Sequence, residues 1–174
     1  MSNQDLFFLI FNLNKQSPIL DQLMIFGATS LIYLVFLLCV ILAFKGAMKE
    51  KKAVLLIILG LPIAFILIKI IHLFFYENRP FVAFHFLPIV AEKMNASFPS
   101  RHATIAAVIA LSFTFFKSKW ALLLLPIMLW VGTARVFVGV HFLQDILGAF
   151  LVAGIALFIG LRLKKILFQT YFSP

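Results

Sequence analysis

Apolar runs separated by short polar connectors give this chain its pattern. Five runs are typical of membrane-spanning helices, at residues 22–44, 53–76, 100–116, 120–140 and 142–161. A helix needs roughly 20 residues to cross the hydrocarbon layer, and the shortest of these runs is still adequate. The first stretch, MSNQDLFFLIF, is too short to span and has neither the basic start nor the cleavage site of a signal peptide. We therefore predict that it forms an interfacial helix.

The composition is that of a membrane protein. Of the 174 residues, 64% are hydrophobic and 12% are charged, and a soluble domain of this length cannot bury so much apolar surface. We predict an all-α, polytopic helix bundle of five transmembrane helices plus the N-terminal interfacial helix, with residues 1–174 forming a single integral membrane domain. The only cysteine, Cys39, excludes a disulfide within the chain.

Basic residues are distributed unevenly between the two ends of the predicted helices. Nine of the fifteen lie in connectors on one side and five on the other, while Lys69 lies inside a run. The nine are Lys45, Lys49, Lys51, Lys52, Lys117, Lys119, Arg162, Lys164 and Lys165. Because cytoplasmic loops are enriched in Lys and Arg, these connectors and the C terminus are predicted to be cytoplasmic and the N terminus outside. The net charge of +9 is then a topology signal, and we expect no nucleic-acid partner.

The remaining ionisable residues fall at the outer ends of the predicted helices, at similar depth. They come from three parts of the chain and comprise Lys69, His72, Arg79, Arg101, His102, Arg135, His141 and Asp145. Ionisable side chains at that depth usually face a bundle interior or a water-filled cavity. Since the arginine fork matches phosphate oxygens, the sequence predicts a phosphate site on the outer face.

The stretch NASFPSRHATIAAV, residues 95–108, joins a polar loop to one of these helices. Pro99 suits the first turn of a helix, and Ser97 or Ser100 suits the cap before it. The free N–H groups of residues 100–102 and the helix dipole would then favour an anion. The alternative is an ordinary capped helix whose arginine reaches toward the membrane surface.

The stretch ARVFVGVHFLQD, residues 134–145, carries a second candidate. His141 and Asp145 are four residues apart at a helix start, which puts them on one face within hydrogen-bonding reach. A carboxylate that holds one imidazole nitrogen fixes the tautomer and leaves the other nitrogen free to attack. The alternative is a structural pair that ties two helices together.

Together, these stretches resemble the motifs of the type 2 phosphatidic acid phosphatase family of membrane enzymes. That family carries a lysine separated by six residues from Arg-Pro, then Pro-Ser-Gly-His or a variant, then Ser-Arg with a histidine and an aspartate downstream. The corresponding stretches here are HLFFYENRP at 72–80, PSRH at 99–102 and ARVFVGVHFLQD at 134–145. The segments ENRPFVAFH, ASFPSRHAT and ILDQLM are similar to the bacterial undecaprenyl diphosphatases of this family.

The resemblance implies roles for the matching residues. His141 resembles the nucleophile that takes the phosphoryl group, Asp145 the carboxylate that orients it, and His102 the general acid. The residues implied to bind phosphate are Arg79, Ser100 and Arg135, with Arg101 available for the further oxygens of a diphosphate. The resemblance also implies a metal-independent enzyme without cofactor in the bacterial cytoplasmic membrane, with undecaprenyl diphosphate as substrate. Such an enzyme recycles a lipid carrier for cell-wall peptidoglycan, a role linked to bacitracin resistance.

Two positions depart from the family pattern. The family lysine would fall at position 72, where this chain has His72. Lys69 lies one helical turn earlier on the same predicted face, so either residue is a candidate to replace that lysine. The serine that usually precedes the arginine of the third motif is Ala134 here.

Other functions remain open from the sequence. Rival substrates within the enzyme class are phosphatidylglycerophosphate, phosphatidate and the 1-phosphate of lipid A. From other classes, the chain could be a non-catalytic lipid-binding protein or a small structural subunit of a larger membrane complex. Retention of His102, His141 and Asp145 together argues against both, because a binding protein has no use for a polarised histidine. No pattern indicates an oligomeric state.

Overall fold

The regular structure of the chain is helical throughout the described part. A computed structural model describes the backbone of residues 2–169 and the side chains of residues 2–163. The helices are α1 (Asn3–Phe11), α2 (Pro18–Thr29), α3 (Leu31–Lys45), α4 (Met48–Phe74), α5 (Pro80–Ala83), α6 (Arg101–Phe115), α7 (Ala121–Phe137) and α8 (Leu143–Gln169). The side chains of Lys164 and Lys165, counted in the predicted topology, lie outside the described side chains.

The predicted runs correspond to helices of unequal length. Over the described residues, α4 and α8 are each long and apolar enough to cross a membrane. The predicted run 22–44 is divided, because α2 and α3 meet at Ser30 with a bend of 52° and pass the same test only as a pair. Helices α6 and α7 are apolar but have 15 and 17 residues. The prediction of an all-α membrane protein is therefore confirmed, while helix length alone accounts for two spans, or three with the bent pair.

Small residues allow α4, α6 and α8 to pack closely at the centre of the bundle. Ala149 and Ala153 of α8 are fully buried, and their small side chains permit a close helix contact. On α4, a Cβ added at Gly60 would lie 2.9 Å from a methyl carbon of Leu157 on α8. This packing brings the ends of the helices together, including the start of α6.

Helix α1 packs on the bundle as well as presenting apolar residues outward. A capping box between Ser2 and Asp5 starts the helix, and Leu9 is 60% exposed. Phe7, however, is fully buried in a cluster of aromatic rings formed by Phe8, Phe11, Phe84, Phe86 and Phe142. The side-chain oxygen of Asn3 also accepts the backbone N–H of Gln144 at 3.3 Å. The predicted interfacial helix is thus also a cover over the start of α8.

The segment before α6 packs against α8. Gly148 permits this approach, because a Cβ added there would lie 2.2 Å from a ring carbon of Phe98. Ser97 and Ser100, on either side of this ring, are both fully buried. Their burial places a polar loop against the first turns of α8, where Asp145 lies.

Candidate active site

A cavity of about 530 Å³ opens where α6 begins and α7 ends. Its lining is strongly cationic, and five of the site residues predicted from the sequence are in it. The lining residues are Arg79, Ala91, Glu92, Lys93, Asn95, Arg101, His102, Arg135 and His141. Residues far apart in the chain therefore meet in one place, as the topology predicted. Among the described side chains, no cluster of three or more His, Cys, Asp or Glu residues has the arrangement of a metal site.

His141 and Asp145 form a buried pair behind this cavity. Nδ1 of His141 lies 3.1 Å from Oδ2 of Asp145. The same oxygen accepts the backbone N–H of Phe142 at 2.9 Å and the hydroxyl of Ser97. Because an ionised carboxylate only accepts hydrogen bonds, this arrangement keeps the imidazole proton on Nδ1 and leaves the lone pair on Nε2.

The chemistry of His141 follows from its surroundings in the turn between α7 and α8. Burial, together with the charges of Arg135 and Arg79, holds the pKa of His141 well below its ordinary value. The imidazole is therefore neutral, which is the form that can attack as a nucleophile. Its Nε2 lies 3.2 Å from Nη1 of Arg79, so the guanidinium donates to the lone pair that would attack.

Arg79 is held at this position by Asn95. Its Nε donates to the backbone carbonyl and to the side-chain oxygen of Asn95, at 3.2 and 3.1 Å, and its Nη2 donates to the same side-chain oxygen at 2.9 Å. Nη1 donates to the carbonyl of Val140 at 3.1 Å. These contacts fix one cation beside His141.

Arg135 supplies a second buried cation from the last turn of α7. Its Nη1 donates to the carbonyl of Ala28 at 3.2 Å, and its Nη2 forms an ion pair with Glu92. Its buried Nε has no hydrogen-bond partner among the described residues. Burial acts to raise the pKa of Glu92, but the hydrogen bond and the charge of Arg135 hold this pKa below its ordinary value. The carboxylate of Glu92 is therefore ionised.

The start of α6 differs in detail from the predicted cap. The helix begins at Arg101 with Ser100 as its N-cap residue, so Pro99 precedes the cap and does not occupy the first turn. The Ser100 side chain makes no capping hydrogen bond, and its buried hydroxyl has no partner within the described part of the chain. Its backbone N–H donates to the carbonyl of Asp145 at 3.1 Å. His102, in the first turn, lines the cavity.

The two candidates for the missing family lysine lie outside the cavity. On α4, Ala64 and Ile68 face the bundle, so the next position of this stripe is His72. His72 is half-buried against the backbone of Phe98. Lys69 follows Ile68 by one residue, which rotates it about 100° away from the stripe, and it is exposed. Neither side chain lines the cavity, so the replacement of the family lysine by Lys69 or His72 stays a prediction.

Three residues at the site have no catalytic or binding role predicted from the sequence. Ser97 was considered only as a helix cap, whereas its hydroxyl binds Asp145. Asn95 binds Arg79, and Glu92 binds Arg135. The available signal was the position of all three in the polar loop that leads into the PSRH stretch.

The helix packing and the site define a class, that of membrane-embedded phosphatases. The profile of the PAP2 superfamily matches residues 53–168. Undecaprenyl-diphosphatase BcrC of Bacillus subtilis is 31% identical over 95% of this chain and 86% of its own length. The putative undecaprenyl-diphosphatase YbjG of Escherichia coli is 33% identical over 97% of this chain and 83% of its own. Among solved structures, LpxE of Aquifex aeolicus has a TM-score of 0.73 and 26% identity, covering 92% of this chain and 94% of that one.

The chain belongs to the PAP2 superfamily, whose phosphatases act on lipid phosphates in membranes. The resemblance predicted from the three motifs is thus confirmed. The similarity to the two undecaprenyl-diphosphatases extends over nearly the whole chain, including the part before the matched profile.

Ser97→Ala tests whether the hydrogen bond from Ser97 to Asp145 contributes to catalysis. We expect the rate of phosphate release to fall by about tenfold to 100-fold, because a hydrogen bond to a charged group contributes about 1.5–3 kcal/mol and about 1.4 kcal/mol corresponds to a tenfold change in rate. KM should change little, because Ser97 does not line the cavity. Steady-state kinetics check both values. The matched control is Ser112→Ala, since Ser112 is also fully buried but donates to the carbonyl of Val108 in α6. Equal losses in the two variants would assign Ser97 a packing role only.

Proposed function

We propose that this phosphatase hydrolyses undecaprenyl diphosphate to undecaprenyl phosphate and inorganic phosphate. The observation that carries the proposal is the buried His141–Asp145 pair, because His141 lines a cavity together with Arg79, Arg101 and Arg135. The similarity to BcrC and YbjG, which covers 86% and 83% of their lengths, favours a diphosphate substrate. On this proposal the whole chain acts as one integral membrane domain that recycles a lipid carrier for cell-wall synthesis.

The proposed reaction has two steps. Nε2 of His141 attacks the terminal phosphorus of the substrate, and the bond from that phosphorus to the bridging oxygen breaks. The lipid monophosphate leaves, with His102 as the proposed proton donor, and the phosphoryl group remains on His141. Water activated by His102 then attacks this phosphorus, which releases inorganic phosphate and restores the imidazole. Asp145 stabilises the positive charge on His141 throughout the first step.

The cations have a positioning and electrostatic task in this reaction. In the resting structure Nη1 of Arg79 donates to Nε2 of His141, so we propose that this group turns to a phosphoryl oxygen when substrate binds. Ser100 has a free hydroxyl at the start of α6, which suits it to donate to another oxygen. Arg101 also lines the cavity, and we propose that it holds the second phosphate of a diphosphate.

A covalent phosphohistidine is the direct test of this chemistry. When substrate labelled in its terminal phosphate is mixed with the protein and quenched in base, we expect an acid-labile label on the parent. His141→Ala should carry no label and release no phosphate, because the nucleophile is gone. His85→Ala is the control, since His85 is an exposed histidine outside the cavity, and it should label like the parent. Labelled His141→Ala protein would refute the assignment.

Comparison of leaving groups tests the substrate. A lipid monophosphate leaves readily, whereas an alcohol leaves only with a proton, and general acid catalysis contributes roughly 100-fold to 10,000-fold. We expect His102→Ala to reduce kcat/KM about tenfold on undecaprenyl diphosphate and about 100-fold or more on phosphatidate. Parallel assays of the parent should favour undecaprenyl diphosphate over phosphatidate, phosphatidylglycerophosphate and lipid A 1-phosphate. If the parent hydrolyses a phospholipid monoester as efficiently as undecaprenyl diphosphate or more so, the proposed substrate is refuted. The assignment of the protein as a phosphatase would not be affected.

We also propose five spans with the site on the outer face of the cytoplasmic membrane. The bent pair α2–α3 counts as one span, and α4, α6, α7 and α8 as the others. The cavity lies near the end of α7 and the starts of α6 and α8, which agrees with helices that alternate in direction. The predicted cytoplasmic connectors hold the lysine-rich stretches.

Cysteine labelling tests this orientation. In a Cys39→Ser background, Met94→Cys should react with a membrane-impermeant maleimide in intact cells, because Met94 is 78% exposed in the loop beside the cavity. Lys52→Cys, exposed near the start of α4, should react only after the membrane is broken. The reverse pattern would place the site in the cytoplasm.

A further inference from the structure

Glu92 places an acidic side chain among the cations of the cavity. We infer that its carboxylate competes for the phosphate site: it leaves Arg135 when a phosphoryl group binds, and it returns to help release inorganic phosphate after hydrolysis. This inference rests on the proposed function, since it requires that Arg135 receive the phosphoryl group.

The guanidinium of Arg135 has one edge that Glu92 only half occupies. Nη1 is held by the carbonyl of Ala28, and Nη2 donates to Oε2 of Glu92. Nε, on the same edge as Nη2, is buried and has no partner in the described part of the protein. A phosphate binds such an edge through two oxygens, whereas Glu92 uses one. The edge is therefore better matched to a phosphate than to its present partner.

The second carboxylate oxygen of Glu92 has a different hydrogen-bond partner. Oε1 accepts the backbone N–H of Lys93 at 3.2 Å. Oε2, besides its contact with Arg135, lies 4.0 Å from Nη1 of Arg79. The carboxylate thus stands between the two buried arginines, where a phosphoryl group attacked by His141 has to bring its oxygens. Glu92 and the phosphoryl group require the same space and the same donors.

The position of Glu92 allows it to leave. Its side chain is 20% exposed, whereas that of Arg135 is 3% exposed. It projects from a segment without helix or strand, and that segment is anchored on both sides, by the N–H of Ile89 on the carbonyl of Val138 and by Asn95 on Arg79. Movement of the side chain into water is therefore possible while the loop stays in place.

Exchange of one anion for another has a physical advantage. A buried cation without a partner is strongly unfavourable, so a site with Arg79 and Arg135 alone would bind phosphate tightly and release it slowly. The carboxylate of Glu92 compensates part of the charge of the two arginines in the resting enzyme. The net binding free energy of phosphate is then only the difference between the free energy of its own contacts and that of the contacts it displaces from Glu92. Weaker product binding and faster release follow.

Glu92→Gln provides the test, because glutamine keeps the size of the side chain and removes its charge. We expect inorganic phosphate to inhibit this variant at about tenfold lower concentration than the parent. KM for the lipid substrate should fall, and kcat should fall as release of phosphate becomes slower. If Glu92 instead serves to position Arg135, the same variant should bind phosphate more weakly and raise KM, which would overturn the inference.

Two further variants define the interaction. Glu92→Asp keeps the charge but is too short to maintain the contact, so its phosphate affinity should lie between those of the parent and Glu92→Gln. In an Arg135→Lys background, which lacks the two-donor edge of the guanidinium, Glu92→Gln should increase the affinity for phosphate only slightly. A full tenfold gain in that background would show a general charge effect. Asp5→Asn, which removes one negative charge from the exposed cap of α1, should leave phosphate inhibition unchanged.

Direct binding of inorganic phosphate, measured by titration calorimetry on the parent and on Glu92→Gln, separates this inference from the proposed function. A parent that hydrolyses no lipid diphosphate would refute the proposed substrate only. Tighter phosphate binding by Glu92→Gln would still support the inference in that case, and unchanged or weaker binding would refute it.

Discussion

The buried carboxylate of Asp145 organises the site end of the bundle. An ionised carboxylate is costly to bury unless it is paired and hydrogen-bonded. Oδ2 is surrounded by the hydroxyl of Ser97, the N–H of Phe142 and the imidazole of His141, whereas Oδ1 is buried without a hydrogen-bond partner among the described residues. The backbone carbonyl of the same residue accepts the N–H of Ser100. These partners come from the loop before α6 and from the turn after α7, and Asp145 itself lies in the first turn of α8, so the hydrogen bonds of one residue fix three segments relative to one another.

The bundle makes this convergence possible through small residues. Alanines along α6 and α8, and Gly60 on α4, let these helices approach closely over an apolar core. Gly148 lets Phe98 rest on α8, which brings the loop with Ser97 within reach of Asp145. Packing in the apolar part therefore controls the position of polar groups at its end. The aromatic cluster around Phe7 then covers this end from the side of α1.

The positive charge at the site is only partly compensated in the resting structure. Arg79 and Arg135 are buried with carbonyl oxygens and one shared carboxylate, that of Glu92, around them. Arg101 adds a third cation to the lining. A cavity with this excess of positive charge attracts and concentrates anions. The same arrangement keeps His141 neutral, because nearby cations and burial both oppose its protonation.

The helical class, the membrane character and the family were predictable from the sequence, because apolar periodicity and local motifs reflect neighbours along the chain. The spacing of His141 and Asp145 also belongs to this group, since one turn of helix sets the contact. Alternation of the apolar runs predicted that distant motifs share one end of the bundle. The bend at Ser30 was not predicted, because the run 22–44 as a whole is hydrophobic enough for one span; the stretch GATS at 27–30 is a local signal of the break.

Only the tertiary structure assigned partners to the loop before α6. Ser97, Asn95 and Glu92 bind residues that lie 48, 16 and 43 positions away, and no local pattern selects such partners. The rotation of α4 about its axis likewise determined the surroundings of Lys69. Because Ala64 and Ile68 face the bundle, Lys69 is exposed and does not line the cavity. Sequence determined which residues could do the chemistry; packing of distant segments decided which of them meet, because a hydrogen bond or ion pair depends on positions in space to within a few tenths of an ångström.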